Sequence, residues 1–166
     1  MLKGNAKGVD LLENGVKYCE AHSIYFFGVK YLLILILSNL CLNTEISCSH
    51  LNKYLNKALD WCVRYQINRS YWKSLFIKGK LYQKFKIENN EIISGIYIQS
   101  LEQFQLAIKN PQTEEYNLDY LMSITCFFRE NGLLYDNGRL NNMLERLNNN
   151  EIKEQMIYIM KMNESE

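Results

Sequence analysis

Proline and glycine are scarce in this chain of 166 residues, which contains one proline and eight glycines. Because proline removes a backbone N–H and both residues interrupt helices, their scarcity favours long helices over a fold with many strands and turns. The run 92–98 is β-branched, but its apolar positions continue a helical stripe as far as Ile108. We therefore predict an all-α fold.

Motifs of catalysis are also lacking. Neither histidine, His22 or His50, stands in a metal-ligating spacing, and no glycine-rich phosphate loop occurs. The five cysteines contain no C-x-x-C pair, and four of them fall in apolar helical patterns. We expect buried free thiols in a reducing compartment, and hence a cytoplasmic protein. We predict that it is not an enzyme and takes no cofactor and no metal.

The net charge is only +1, but charge is unevenly distributed along the chain. Residues 50–87 carry nine basic residues and one acidic residue, a net charge of +8. Residues 88–166 carry six basic and thirteen acidic residues, a net charge of −7. Such asymmetry carries information about partners and association rather than about the fold.

Apolar residues at helical spacing predict about seven helices. The first five cover residues 5–19, 22–42, 47–65, 70–86 and 91–109. A sixth begins near 113 and ends at Asn131-Gly132, a seventh includes 140–147, and 150–162 adds a further helix. The short links between these helices predict antiparallel neighbours.

Two short patterns recur in the same order and at nearly the same offset. The first is G-x-x-Y, and the second is a large apolar residue followed three positions later by alanine. Their positions are Gly28 and Tyr31, Leu55 and Ala58, Gly79 and Tyr82, and Phe104 and Ala107. A repeated period of this size indicates stacked supersecondary units, which form extended binding surfaces.

These patterns resemble the tetratricopeptide repeat (TPR), whose helix pair carries W-x-x-L-G-x-x-Y and then A-x-x-x-F-x-x-A before a proline. Leu75 stands in the place of the tryptophan, and Pro111 ends the unit. The spacing is longer than the family's repeat of about 34 residues. The resemblance implies a right-handed stack of antiparallel helix pairs, a TPR-like α-solenoid forming one domain over 1–166. Its units would cover 22–65, 70–111 and 113–148, with flanking helices over 5–19 and 150–162.

Four basic residues fall on one face of the predicted fourth helix: Arg69, Lys73, Lys80 and Lys84. In the tetratricopeptide family, the first helix of each unit lines a concave groove that binds peptides. By this resemblance, the groove residues here are Tyr25, Lys73, Phe76, Lys80, Gln83 and Lys84, together with His22, Val29 and Leu32. The chain would then be a protein-interaction scaffold and part of a longer array or assembly.

The basic stripe predicts a partner segment that is acidic and has an apolar anchor, for which Tyr25 and Phe76 supply aromatic surface. The same stripe could dock residues 88–166 of a second copy. Two alternatives remain open. Residues 24–42 could span a membrane, since Lys30 is the only charge between His22 and Thr44. Alternatively, a non-TPR bundle could bind nucleic acid through 50–87, although the acidic C-terminal half disfavours this.

Overall fold

The computed structural model describes residues 3–42 and 47–108, together with the isolated positions Ile124, Glu154 and Ile157. The described ranges form five helices and contain no strand: α1 (Lys3–Ala21), α2 (Tyr25–Leu42), α3 (Cys48–Arg64), α4 (Asn68–Phe85) and α5 (Asn90–Ile108). The all-α prediction is confirmed for this part of the chain, and the five predicted helices are found with ends within three residues of those predicted. Apart from the three isolated positions, the predicted helices after residue 109 lie outside the described residues.

The chain packs as two compact units, Met1–Ile96 and Tyr97–Glu166. The first unit contains α1 to α4 and the start of α5, and its packing is described here. Most of the second unit lies outside the described residues. One repeat domain over 1–166 therefore stays a prediction.

Local capping explains where several helices begin and end. The Ser47 hydroxyl accepts a hydrogen bond from the His50 amide at the start of α3, and the Asn89 side chain accepts one from the Ile92 amide at the start of α5. Helix α4 begins at Asn68, two residues before the predicted start, and Ser70 is buried inside it.

The core of the first unit is built from neighbouring helices in chain order. Helix α1 packs on α2, α2 on α3 and α3 on α4, and α2 also packs on α4. Leu51, Leu55, Ala58 and Cys62 lie at helical spacing on α3, and all four are buried. Helix α2 also contributes five buried residues to this core: Val29, Leu32, Leu33, Leu35 and Ile36.

Two glycines allow α2 to approach its neighbours closely. A methyl group added at Gly28 would lie 2.5 Å from Cζ3 of Trp61 on α3 and 3.3 Å from Cβ of Cys19 on α1. A methyl group at Gly15 would lie 3.1 Å from the ring of Tyr31. Gly28 and Tyr31, the first G-x-x-Y pair, therefore stand at the contacts that join α2 to α1 and α3.

The other residues of the two recurring patterns are also packed where the structure describes them. Leu55, Ala58, Gly79 and Phe104 are buried, and Tyr82 is half-buried against the core. Ala107 lies in α5, but its side chain, like Pro111, lies outside the described residues.

Polar contacts join α1 to α3 across this core. The Tyr54 hydroxyl donates a hydrogen bond to the Glu13 carboxylate. The Lys57 ammonium lies 2.7 Å from a carboxylate oxygen of Glu20. Both contacts connect residues far apart in the sequence, so they fix the position of the first helix.

Replacing Tyr54 with phenylalanine should reveal a pH-dependent contribution to stability. Burial, followed by the hydrogen bond to Glu13, raises the pKa of Tyr54 from 10.0 to about 12. A raised pKa stabilises the folded state fully below pH 10, and this contribution is lost as the pH rises to about 12. Near neutral pH, Tyr54→Phe should lower the free energy of unfolding by about 1.5 kcal/mol, because the hydrogen bond to the Glu13 carboxylate is lost.

Urea titrations of wild type and Tyr54→Phe across this pH range measure the difference between the two proteins. Other tyrosines titrate in both proteins, so only the difference reports on Tyr54. It should shrink between pH 10 and pH 12. A difference that stays constant over that range would show that folding does not raise the pKa of Tyr54.

Candidate interaction surface

Helices α2 and α4 lie side by side, and α3 packs against both of them. The chain reverses direction between successive helices, so α2 and α4 run parallel. Their C-terminal ends meet where the Lys84 ammonium donates a hydrogen bond to the backbone carbonyl of Leu40. We call the exposed sides of these two neighbouring helices the α2–α4 surface.

The α4 half of this surface is cationic. Arg69, Lys73 and Lys84 are exposed and Lys80 is half-buried, and we call these four residues the cationic face. Ion pairs between described residues join Lys57 to Glu20 and Arg64 to Asp60. Thus Arg69, Lys73 and Lys80 have no acidic partner within the part of the chain that the structure describes.

Aromatic rings lie beneath two of the cations. The Lys73 ammonium lies 5.0 Å from the centre of the Trp72 ring, and the Lys80 ammonium lies 5.7 Å from that of Phe76. Such contacts hold the ammonium groups at the surface while leaving most of their charge available to a ligand. Phe76 is half-buried against the core, and Gln83 is half-buried on the same helix.

Lys84 differs from the other three cations because it contacts the end of α2. The last carbonyls of a helix have no intrahelical donor, and the helix dipole there favours a positive charge. The Lys84 ammonium provides both a hydrogen-bond donor for the Leu40 carbonyl and a positive charge at the C-terminal end of α2. Lys84 thus fixes α4 against α2, which makes it a poor choice for testing ligand binding by mutation.

The α2 half of the surface is apolar. Phe26, Ile34, Leu37 and Cys41 are exposed along one side of α2, and Lys30 is the only charge among them. We call these five residues the apolar face. A soluble monomer seldom exposes a continuous apolar patch of this kind without a binding role.

Three groove residues predicted from the resemblance do not line this surface. Val29 and Leu32 are fully buried in the core, so their prediction as groove residues was wrong. Tyr25 is half-buried and stacks on Tyr65, with ring centres 3.7 Å apart, and it meets Trp61 edge to face at 5.1 Å. A hydrogen bond with Tyr65 lowers the pKa of Tyr25. Tyr25 thus contacts the C-terminal end of α3, and its role in binding stays a prediction.

Sequence reasoning missed the apolar face because α2 is hydrophobic on every side. A helix with a polar stripe shows which side meets solvent, whereas α2 carries only Lys30 as a charged residue. The available signal was the spacing of Phe26, Lys30, Ile34, Leu37 and Cys41, which follow one another at intervals of three or four residues. That spacing is typical of a helix that packs along a second helix.

The cysteines show mixed environments. Cys19 and Cys62 are buried free thiols, as predicted, and burial raises the pKa of Cys62 to about 11. Cys48 is half-buried, and Cys41 is exposed on the apolar face, so the prediction of burial is wrong for Cys41. Cys126 lies outside the described residues.

Within the described ranges, no three histidine, cysteine or acidic side chains cluster closely enough to hold a metal ion. Among the helices described, none combines the length and apolarity needed to cross a bilayer. Comparisons with protein-family models, with curated proteins and with solved structures find no match for this chain.

Proposed function

We propose that this chain is a protein-interaction scaffold whose α2–α4 surface binds a partner segment carrying both apolar and acidic side chains. The observation that supports this most strongly is the placement of the exposed apolar face of α2 beside the exposed cationic face of α4. An apolar strip excludes water from a ligand, and an adjoining row of cations selects the sign of its charge.

The two faces contribute differently to binding. An exposed ion pair contributes only about 1 kcal/mol or less, so the cations act as a set. Burying exposed apolar area contributes about 25 cal/mol per Å², which makes Phe26, Ile34 and Leu37 the better sources of affinity. The cations then determine which partners are accepted and how strongly salt weakens binding.

The resemblance to the tetratricopeptide repeat supports a wider arrangement. We propose that the helix pairs continue as a TPR-like solenoid and that the chain belongs to a longer array. The packing of α2 on both α3 and α4, with Gly28 at a close helix contact, is consistent with such stacking. The buried free thiols of Cys19 and Cys62 support a reducing, cytoplasmic location.

Replacing Arg69, Lys73 and Lys80 together with glutamine should weaken the binding of an acidic amphipathic peptide by roughly tenfold at low salt. The probe is a labelled helical peptide with leucine at every third and fourth position and glutamate along one flank. The control peptide carries glutamine in place of each glutamate. Fluorescence anisotropy across a salt series measures both affinities.

Two further variants test the apolar face and the position of the charge. Ile34→Ser with Leu37→Ser should weaken both peptides, because these side chains provide apolar contact. Lys53→Gln, an exposed cation on α3, should change neither. Equal binding of the acidic peptide by wild type and the triple variant would overturn the proposal. Tight binding of an oligonucleotide that is insensitive to Ile34→Ser and Leu37→Ser would instead favour the nucleic-acid alternative.

A further inference from the structure

Two helix connections meet at one end of the first unit. The turn between α1 and α2 and the turn between α3 and α4 are held together by Tyr25, whose ring lies parallel to that of Tyr65 at 3.7 Å. Ser23 and Gln66, one in each turn, both have left-handed backbones with φ of 59° and 54°. We call this end, residues 18–27 and 63–69, the two-turn tip.

The two-turn tip exposes large apolar side chains from both connections. They are 38–66% exposed and comprise Tyr18, Ile24, Phe27, Val63 and Tyr65. Ile24 and Tyr65 lie in the two connections, whereas Tyr18, Phe27 and Val63 lie in the adjoining ends of α1, α2 and α3. Such aromatic and aliphatic groups favour the boundary between lipid headgroups and acyl chains.

Three cations lie within the first six residues of α2 and α4, the helices that leave the tip. Lys30, Arg69 and Lys73 are exposed and make no ion pair with the described residues. The Lys30 ammonium lies 4.4 Å from the centre of the Phe26 ring and 5.6 Å from that of Phe27. The two acids at this end are already in ion pairs, Glu20 with Lys57 and Asp60 with Arg64. The tip therefore carries an excess of positive charge.

The positions of the apolar residues and of the cations along the helix axis also match the layers of a bilayer surface. Lys30 stands six residues after Ile24, which at 1.5 Å per helical residue corresponds to about 9 Å along the axis. With the tip directed at a membrane, Ile24 and Phe27 would reach the acyl boundary while Lys30 and Lys73 lie at the height of the phosphates. This is the arrangement expected of a peripheral membrane contact with anionic lipid.

We propose that the two-turn tip binds the surface of an anionic lipid bilayer. The occupant is a bilayer rather than a peptide because the exposed apolar groups gather at two helix connections at one end of the unit, together with cations that make no ion pair with the described residues. The α2–α4 surface is open along the sides of two helices and suits a segment. This activity goes beyond the proposed scaffold function and depends on Ile24 and Phe27, which that function does not use.

Vesicle sedimentation tests the proposal with the full chain. The probes are vesicles of phosphatidylcholine containing phosphatidylserine and vesicles of phosphatidylcholine alone. Wild type should bind the anionic vesicles more tightly, and added salt should weaken that binding. Ile24→Ser with Phe27→Ser should weaken it by roughly tenfold or more, because two exposed apolar groups no longer insert. Leu11→Ser with Ile92→Ser, a matched pair of exposed apolar residues outside the tip, should have no such effect.

A second variant tests the contribution of the cations at the tip. Lys30→Gln with Arg69→Gln should weaken binding to anionic vesicles by roughly fivefold for each cation. Lys7→Gln with Lys53→Gln removes two exposed cations placed elsewhere on α1 and α3 and should cause a smaller loss. Circular dichroism should show unchanged helix content in every variant, since all the replaced side chains are exposed.

Three outcomes would overturn the proposal. The first is equal binding of wild type to both kinds of vesicle. The second is unchanged binding after Ile24→Ser with Phe27→Ser. The third is lipid-independent self-association that the same double variant abolishes, which sedimentation velocity would reveal and which would assign the tip to a second copy. Binding of the acidic peptide should survive this double variant, so loss of vesicle binding alone would leave the scaffold proposal intact.

Discussion

Replacing Leu32 with alanine is expected to lower the free energy of unfolding by about 2–5 kcal/mol. Leu32 is 0% exposed and belongs to the core shared by α2 and its neighbours. Alanine would leave a cavity there, because packed helices relax only partly around a missing side chain. The shift in the urea midpoint, with the slope of the transition checked for constancy, measures this loss.

Ile34 provides a matched control on the same helix. It lies two residues after Leu32, has a side chain of the same size and is 46% exposed on the apolar face. Ile34→Ala should change the free energy of unfolding by only about 0.5 kcal/mol, because little packed surface is lost. Similar losses for the two variants would show that α2 presents a different side to the core. The comparison therefore checks which side of α2 is available to a partner.

Replacing Gly28 with alanine should also destabilise the fold, by about 1–3 kcal/mol. Alanine is the better helix former by about 1 kcal/mol, so helix propensity alone predicts the opposite sign. The added methyl group would lie 2.5 Å from Cζ3 of Trp61, and this ring is buried and cannot easily move away. Urea unfolding of the variant and the wild type measures the sign of the change in the free energy of unfolding.

Two further variants separate crowding from helix propensity. Gly8→Ala places the methyl group in open space on α1 and should raise stability by about 0.5–1 kcal/mol. Trp61→Phe removes the ring atom that the new methyl group would meet, so it should reduce the penalty of Gly28→Ala in a double-mutant cycle. Stabilisation by Gly28→Ala in wild type would show that α2 and α3 are farther apart than described.

Sequence periodicity predicted α3 well because the helix has one apolar side. Leu51, Leu55, Ala58 and Cys62 recur at helical spacing, and all four are buried. Helix α2 offers no such contrast, since apolar residues occur on every side of it. Its buried side depends on where α1, α3 and α4 pack. The sequence therefore predicted the helix but not which of its residues remain exposed.

The cationic face of α4 was visible in the sequence because four basic residues share one helical spacing. Arg69, Lys73 and Lys84 are exposed, and Lys80 is half-buried. What periodicity could not predict is that Lys84 donates to the carbonyl of Leu40, forty-four residues earlier in the chain. The same holds for the stacking of Tyr25 on Tyr65. Both contacts depend on how separate helices are placed in three dimensions.

The packing of each helix on the next in the chain has a consequence for how the first unit folds. Contacts between α1 and α2, α2 and α3, and α3 and α4 close only short loops. A low average sequence separation between contacting residues lowers the entropic cost of reaching the transition state and is associated with fast folding. On the ribosome, α1 and α2 can pair before α4 has been synthesised. The apolar sides of α2 are therefore covered progressively as the chain emerges, which limits the time during which they can aggregate.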